Sequence, residues 1–208
     1  KDSTFATGVT SAAATPGTVT GTTDTSVSKA ITGLDAATTY YFRVVAVNRG
    51  GTTTSTHLSF TTGAAASRLV VTGSGTMTAG GSNNLTITAK DAGGNTVTSY
   101  TGDKSLTFSG AASSASPVTT PKVSNKSGTA TAFGTATIIT FTNGVATVSG
   151  ANNGAMTLYK AETALIVASD GSITSSGDDR LSVVVSAATA TVLTVAGNNQ
   201  SAAVSTAL

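Results

Sequence analysis

The chain has no cysteine, no tryptophan, one histidine (His57) and one glutamate (Glu162) among 208 residues. Without thiols it can build neither a disulfide framework nor a thiolate metal site. Any Ser-His-Asp relay would have to run through His57, and no Gly-x-Ser-x-Gly elbow accompanies it. His57 is therefore expected to be an ordinary strand residue. Glycoside hydrolysis needs two carboxylates across a cleft, and the composition argues against it: Glu162 stands alone and the aspartates fall in turn-like sequence. Charge is sparse. Only 10% of residues are charged, and the net charge of +2 with a pI near 9.0 reflects a small imbalance among few groups. Lysines and arginines occur singly, without the clustering that phosphate tracking requires, so nucleic acid is excluded as an expected partner. No apolar run reaches the ~18 residues of a membrane-crossing helix. The sequence opens at Lys1 without an initiator Met or a charged-then-apolar leader, as expected of a mature product or a piece of a longer chain.

What remains is a folded, strand-forming chain. Hydrophobic residues make up 39%, mean hydropathy is +0.19, and β-branched residues are spread throughout, unlike the composition of a disordered chain. The length fits one or two domains. Short alternating runs separated by Gly, Asn, Asp and Ser predict an all-β fold. Two hairpins are expected. One lies at Asp91–Asn95, between LTITAK and TVTSY; the other at Asn143–Gly144, between ATIITFT and VATVSG, where Asn-Gly supplies the two positive φ angles of a type I′ turn. Only residues 151–168 hold a helical turn pattern, and the ALIVA within them reads as strand. Small-residue stretches at Gly63–Ser67 and near Ala187–Ala188 divide the chain into 1–62, a linker 63–67, 68–187, and 188–208. The last segment, with TVLTVAGNNQ echoing RLVVTGSGTM, is expected to open a further domain.

The run ITGLDAATTYYFRVVAVNRGG places Tyr40, Phe42, Val44 and Ala46 on one face of an extended chain and Tyr41, Arg43 and Val45 on the other. Leu34 precedes Tyr40 by six residues; Asn48, Gly50 and Gly51 follow, then a closing strand through Phe60, Thr61 and Thr62. Over about residues 18–62 this spacing resembles the second half of a fibronectin type III domain. The resemblance implies that the Tyr40 hydroxyl bonds back to the upstream chain as a tyrosine corner, that Leu34 plugs the loop between sheets, and that Phe42 and Val44 face a core. The front half of that domain, with its core Trp, is not present. A sandwich of this kind needs about 100 residues, so the missing strands are expected either from a longer chain or from a neighbouring subunit. Residues 68–187, with TAGGSNNLTITAKDAGGNTVTSYTG, KSLTFSG, ATIITFTNGVATVSG and LSVVVSA, resemble the bacterial immunoglobulin-like domains found in tandem on surface adhesins and other large exported proteins. This implies tandem immunoglobulin-like and fibronectin-type β-sandwiches and a context, not an activity.

Other residues carry weaker signals. Oxygen ligands for Ca²⁺ could gather at Asp170, Asp178 and Asp179, or at Asp91, Asn95 and Asp103. Neither set has EF-hand spacing, and turn formation accounts for these residues without metal. The sequons at Asn84, Asn125 and Asn199 are as many as a chain so rich in Asn, Ser and Thr yields by chance. The stretch 110–135 reads as a long irregular loop, either a contact surface or a floppy insertion. Tyr41 and Tyr100 are expected to face outward, too few for the flat aromatic platform that stacks on sugars. No cofactor and no catalysis are expected. The chain reads as a structural module of an extracellular or cell-surface stalk or filament of a prokaryote, partnered by neighbouring copies or further domains of the same protein. The alternative is an adhesin or polysaccharide-binding arm with a cell-surface or glycan ligand, standing alone or appended to a secreted hydrolase. The residues expected to carry the architecture are Leu34, Tyr40, Phe42, Val44, Asn143 and Gly144.

Overall fold

The computed structural model describes residues 2–189, and they are all-β apart from one 3-10 turn, η1 (Gly177–Asp179). The chain divides into two compact units, Lys1–Ala65 and Ala66–Leu208. The further domain expected from 188–208 lies, beyond Thr189, outside the described residues.

The first unit contains one hairpin. Before it the described chain forms only an isolated bridge between Thr15 and Ser28. Strands β1 (Thr39–Phe42), β2 (Val45–Asn48), β3 (Gly51–Thr54) and β4 (Leu58–Thr61) fold back antiparallel. β1 pairs with β4, setting Tyr40 opposite Phe60 and Phe42 opposite Leu58; β2 pairs with β3, setting Val45 opposite Thr54. The reversal is made by Asn48, whose side-chain oxygen accepts the Gly50 N–H at 2.7 Å, and by Gly51 at φ 131°. One continuous strand was expected from Tyr40 to Ala46, but it is broken at Arg43 and Val44. These two residues face three, Ser55, Thr56 and His57, so the hairpin carries a β-bulge. Ser55 fills the gap in the ladder: its N–H donates to the Val44 carbonyl, and its hydroxyl accepts the Val44 N–H, each at 2.9 Å.

The second unit is a β-sandwich of twelve strands: β5 (Arg68–Thr72), β6 (Thr76–Thr78), β7 (Ser82–Asn84), β8 (Thr86–Lys90), β9 (Gly102–Ser109), β10 (Lys122–Ser124), β11 (Ala130–Ala132), β12 (Thr137–Phe141), β13 (Val145–Thr147), β14 (Ala155–Thr157), β15 (Glu162–Ser169) and β16 (Leu181–Ser186). They form a five-stranded sheet β12-β9-β15-β16-β6, a three-stranded sheet β13-β8-β5 and a four-stranded sheet β11-β10-β14-β7. All pairings are antiparallel except β16 with β6. Strict alternation aims Leu69, Val71, Ile87 and Ala89 inward from one sheet. Leu106, Phe108, Ile139, Phe141, Ile166 and Val183 come from the five-stranded sheet to meet them in a single core.

Asn143 (φ 49°) and Gly144 (φ 84°) make the two-residue turn expected of them. Thr142 and Val145 close it with reciprocal hydrogen bonds of 2.8 and 3.1 Å. A side chain at Gly144 would also meet the Val97 carbonyl oxygen at 2.6 Å, so glycine is required twice over. Beyond that turn the two arms part company, β12 joining the five-stranded sheet and β13 the three-stranded one. At the other expected hairpin the turn forms, with the Asp91 N–H bonded to the Asn95 carbonyl, but TVTSY supplies only an isolated bridge at Thr96. The stretch 110–135 is likewise not loop throughout. Its second half folds as the β10–β11 hairpin around an Asn125-capped turn, with Val123 fully buried.

Two asparagines act as substitute strand partners. The Asn153 side chain accepts the Thr140 N–H at 2.7 Å and donates to the Thr140 carbonyl at 3.0 Å, as a neighbouring backbone would. Asn83, buried, treats Ser74 the same way, accepting its N–H at 3.0 Å and donating to its carbonyl at 2.8 Å. Both amides satisfy backbone groups that no strand reaches.

Candidate functional site

Every fully buried apolar side chain among the described residues belongs to the second unit. The first unit contributes ten of the fourteen large apolar side chains left exposed among the described residues, and six of these, Phe42, Val44, Val45, Val47, Leu58 and Phe60, lie in its hairpin.

The base of the hairpin is pinned locally. The Asp35 N–H donates to the Tyr40 hydroxyl at 2.8 Å, and that hydroxyl lies 3.2 Å from the Asp35 carboxylate as donor. Thr62 completes the corner: its hydroxyl donates to the Asp35 carbonyl at 2.6 Å and accepts the Thr38 N–H at 2.9 Å. Leu34, half-buried, precedes the corner. Tyr40, Phe42, Leu58 and Phe60 share one face by register. The Tyr40 and Phe60 rings stack at 5.9 Å, and Phe42 tilts against Phe60 at 6.2 Å. Phe42, Leu58 and Phe60 are nonetheless 46%, 62% and 42% exposed, and Val44 is exposed as well.

The opposite face is chemically different. Tyr41 meets His57 edge-on at 5.8 Å, and Phe5 lies 6.3 Å from His57 with the Arg43 guanidinium 4.4 Å above its ring. Phe5 is held there by a tight turn centred on Asp2, whose carboxylate accepts the N–H groups of Thr4, Ala6 and Thr7 and the Thr4 hydroxyl. The hydrogen bonds from Thr4 lead those that bring the Asp2 carboxyl down to about 2. His57 is thus an aromatic contact in the exposed bulge, and neither ring contact brings it a serine.

The remaining candidates resolve into structural roles. Tyr100, expected to face outward, turns inward. Its ring stands edge-on to Phe141 at 4.9 Å, its hydroxyl donates to Asp170 at 2.6 Å, and Lys104 caps it at 4.7 Å. Burial, reinforced by Asp170, pushes the Tyr100 phenol well above its ordinary range. Burial also pushes the Asp170 carboxyl up, but donation from the Ile173 N–H, the Tyr100 hydroxyl and the Ser172 N–H outweighs it and holds the group below the usual carboxylate range. Asp91 caps its own turn through the Asn95 N–H at 2.9 Å. Asp103 is bound by Lys126 and by the Thr140 hydroxyl. Asp179 pairs with Arg68 at 3.6 Å, while Asp178 sits beside it in η1. Glu162 accepts the Ala112 N–H at 2.7 Å and pairs with Lys160 at 3.4 Å. Among the described residues no three His, Asp or Glu side chains gather closely enough to hold a metal ion. Nor is any described helix long and apolar enough to cross a membrane.

The bulge, the Phe5–Arg43 contact and the two asparagine clamps had no counterpart in the sequence reading. Only Asn153 left a trace there: like Asn143 it precedes a glycine, and like Asn143 it has positive φ, here 62°. No protein-family model matches the chain, and no curated protein matches it.

Proposed function

We propose that the chain is a structural module of an extracellular stalk or filament assembled from tandem β-sandwiches. The observation that carries this is the contrast between a sandwich that closes its own core and an adjoining hairpin that leaves three large apolar side chains about half exposed. A finished sandwich needs no partner to be stable; an uncovered aromatic hairpin face is stabilised only when another β-layer packs on it. A repeated alternation of the two would propagate along a fibre. The titratable groups support the same reading, because Asp91, Asp103, Asp170, Asp179 and Glu162 are each engaged in a turn, a latch or an ion pair.

Ring geometry favours this over a glycan-binding arm. Sugar stacking wants rings side by side in one plane, whereas Phe42 and Phe60 are inclined by 60° and Tyr40 lies against Phe60. Antibodies to the second unit should label intact cells of the source organism, and native protein released from them should appear as an elongated, beaded particle by electron microscopy. Retention inside the cell, or a compact native particle, overturns the proposal.

A further inference from the structure

We infer that Asn143 is a site of spontaneous covalent modification: in the folded chain it converts to aspartyl and isoaspartyl residues, while Asn153, which also precedes a glycine, is protected. The inference concerns the sandwich alone and stands whether or not the chain is a stalk module.

Asn143 and Asn153 are the two asparagines of the sequence that a glycine follows. That pairing is reactive because glycine has no Cβ to crowd its own nitrogen. The reaction needs only the chain and water. The glycine nitrogen attacks the asparagine Cγ, and a new C–N bond forms as the bond to the side-chain nitrogen breaks. Ammonia leaves with the proton given up by the glycine N–H, and a succinimide ring remains. Water then opens the ring. Opening at Cγ gives aspartate; opening at the main-chain carbonyl gives isoaspartate, whose backbone is longer by one methylene.

Folding treats the two glycines alike and the two asparagines differently. Gly144 and Gly154 are both buried, and their N–H groups donate to the Tyr100 carbonyl at 3.0 Å and the Ser124 carbonyl at 2.9 Å. Both asparagines have positive φ, 49° and 62°. The attacking nitrogens are thus restrained to a similar degree, and the side chains make the difference. Asn153 is half-buried and triply held: it accepts the Thr140 N–H at 2.7 Å and donates to the Thr140 carbonyl at 3.0 Å and the Thr147 carbonyl at 3.1 Å. Turning its Cγ toward Gly154 breaks all three bonds and strands the Thr140 backbone groups. Asn143 is exposed, and its side chain makes no hydrogen bond among the described residues, so the same movement costs it none. Each ordinary hydrogen bond shifts a population by roughly two- to tenfold, so three together slow Asn153 by at least about tenfold.

The product has a structural consequence. The Asn143–Gly144 turn joins β12 to β13, which enter different sheets, and it is closed by the reciprocal bonds of Thr142 and Val145. An extra methylene in a two-residue turn disturbs that closure and weakens the joint between the sheets.

Incubation of the folded 208-residue chain in mildly alkaline buffer, followed by peptide mapping and enzymatic methylation of isoaspartyl groups, tests this. The Asn143 peptide should convert with first-order kinetics at least about tenfold faster than the Asn153 peptide. The same incubation in concentrated urea, which releases the Asn153 side chain, should bring the two rates together. Equal rates in the folded chain overturn the inference. So does a difference that persists in urea, because it would belong to the local sequence and not to the fold. A folded Asn143 that stays intact while the urea-unfolded chain converts fully overturns it as well.

Discussion

The two units are built from similar sequence and reach opposite outcomes. β4 (LSFT) alternates apolar and polar residues as β8 (TITAK) does, and β1 and β5 each carry a run of three aromatic or aliphatic residues, yet Leu69, Val71, Ile87 and Ala89 are at most 2% exposed while Phe42, Leu58 and Phe60 are about half exposed. The difference lies not in the strands but in what stands opposite them. In the second unit a five-stranded sheet supplies Phe108, Ile139 and Ile166 as a facing layer; in the first, residues 2–38 form no strand, and Phe5 packs against Arg43 and His57. Alternation creates a sticky face. Only a second layer turns it into a core.

The largest test of that contrast compares two phenylalanines. Phe108→Ala removes a fully buried ring and should cost about 3–5 kcal/mol in urea unfolding of the second unit, whereas Phe60→Ala in dilute monomer should cost that unit nothing measurable. Similar losses from both would mean that the hairpin is covered after all. Gly144→Ala comes next. It forces a side chain into positive φ and against the Val97 carbonyl, and should cost about 2–4 kcal/mol, read as a lower urea midpoint with an unchanged slope. A cost below about 0.5 kcal/mol would show that the turn connecting the two sheets relaxes easily.

The smallest test concerns the latch between Tyr100 and Asp170. Tyr100→Phe should cost about 1 kcal/mol at neutral pH. Its signature is in the pH profile. Asp170 is held below its unfolded value, so its share of stability is present above about pH 4 and is lost as pH falls through the lowered value. Tyr100 is held above its unfolded value, so its share is present below about pH 10 and is lost as pH rises toward the raised one. Unfolding curves collected between these limits should be flatter at both ends in Tyr100→Phe than in the parent. An unchanged alkaline limb would mean that the hydroxyl bond adds nothing to the sandwich.

Legibility followed sequence distance. The Asn143–Gly144 turn spans two residues and was accessible from local spacing, whereas the bond of the Tyr40 hydroxyl to Asp35, five residues upstream, was expected only from the resemblance to a fibronectin type III domain. The Tyr100 orientation depends on a carboxylate seventy residues away, and a lone aromatic at the end of TVTSY gives no hint of it. The β10–β11 hairpin was hidden because its strands present a single large apolar residue, Val123, between lysine and serine. The bulge at Ser55–His57 was invisible for a different reason: Thr, Ser and His suit a regular strand as well as a bulged one, and only the register of the partner strand distinguishes them.

By itself the sequence determined the element type, because period-two alternation punctuated by Gly, Asn and Asp is incompatible with helix packing and fixes where the chain reverses. It also ruled out disulfides and thiolate ligation, since absent cysteine cannot be supplied by folding. Which sheet each strand joins, and which apolar face ends buried, was decided only in three dimensions. β12 and β13 flank one two-residue turn and enter different sheets, and the hairpin face stays open while the β5–β8 face closes. Burial belongs to a pair of surfaces, and a strand encodes only one of them.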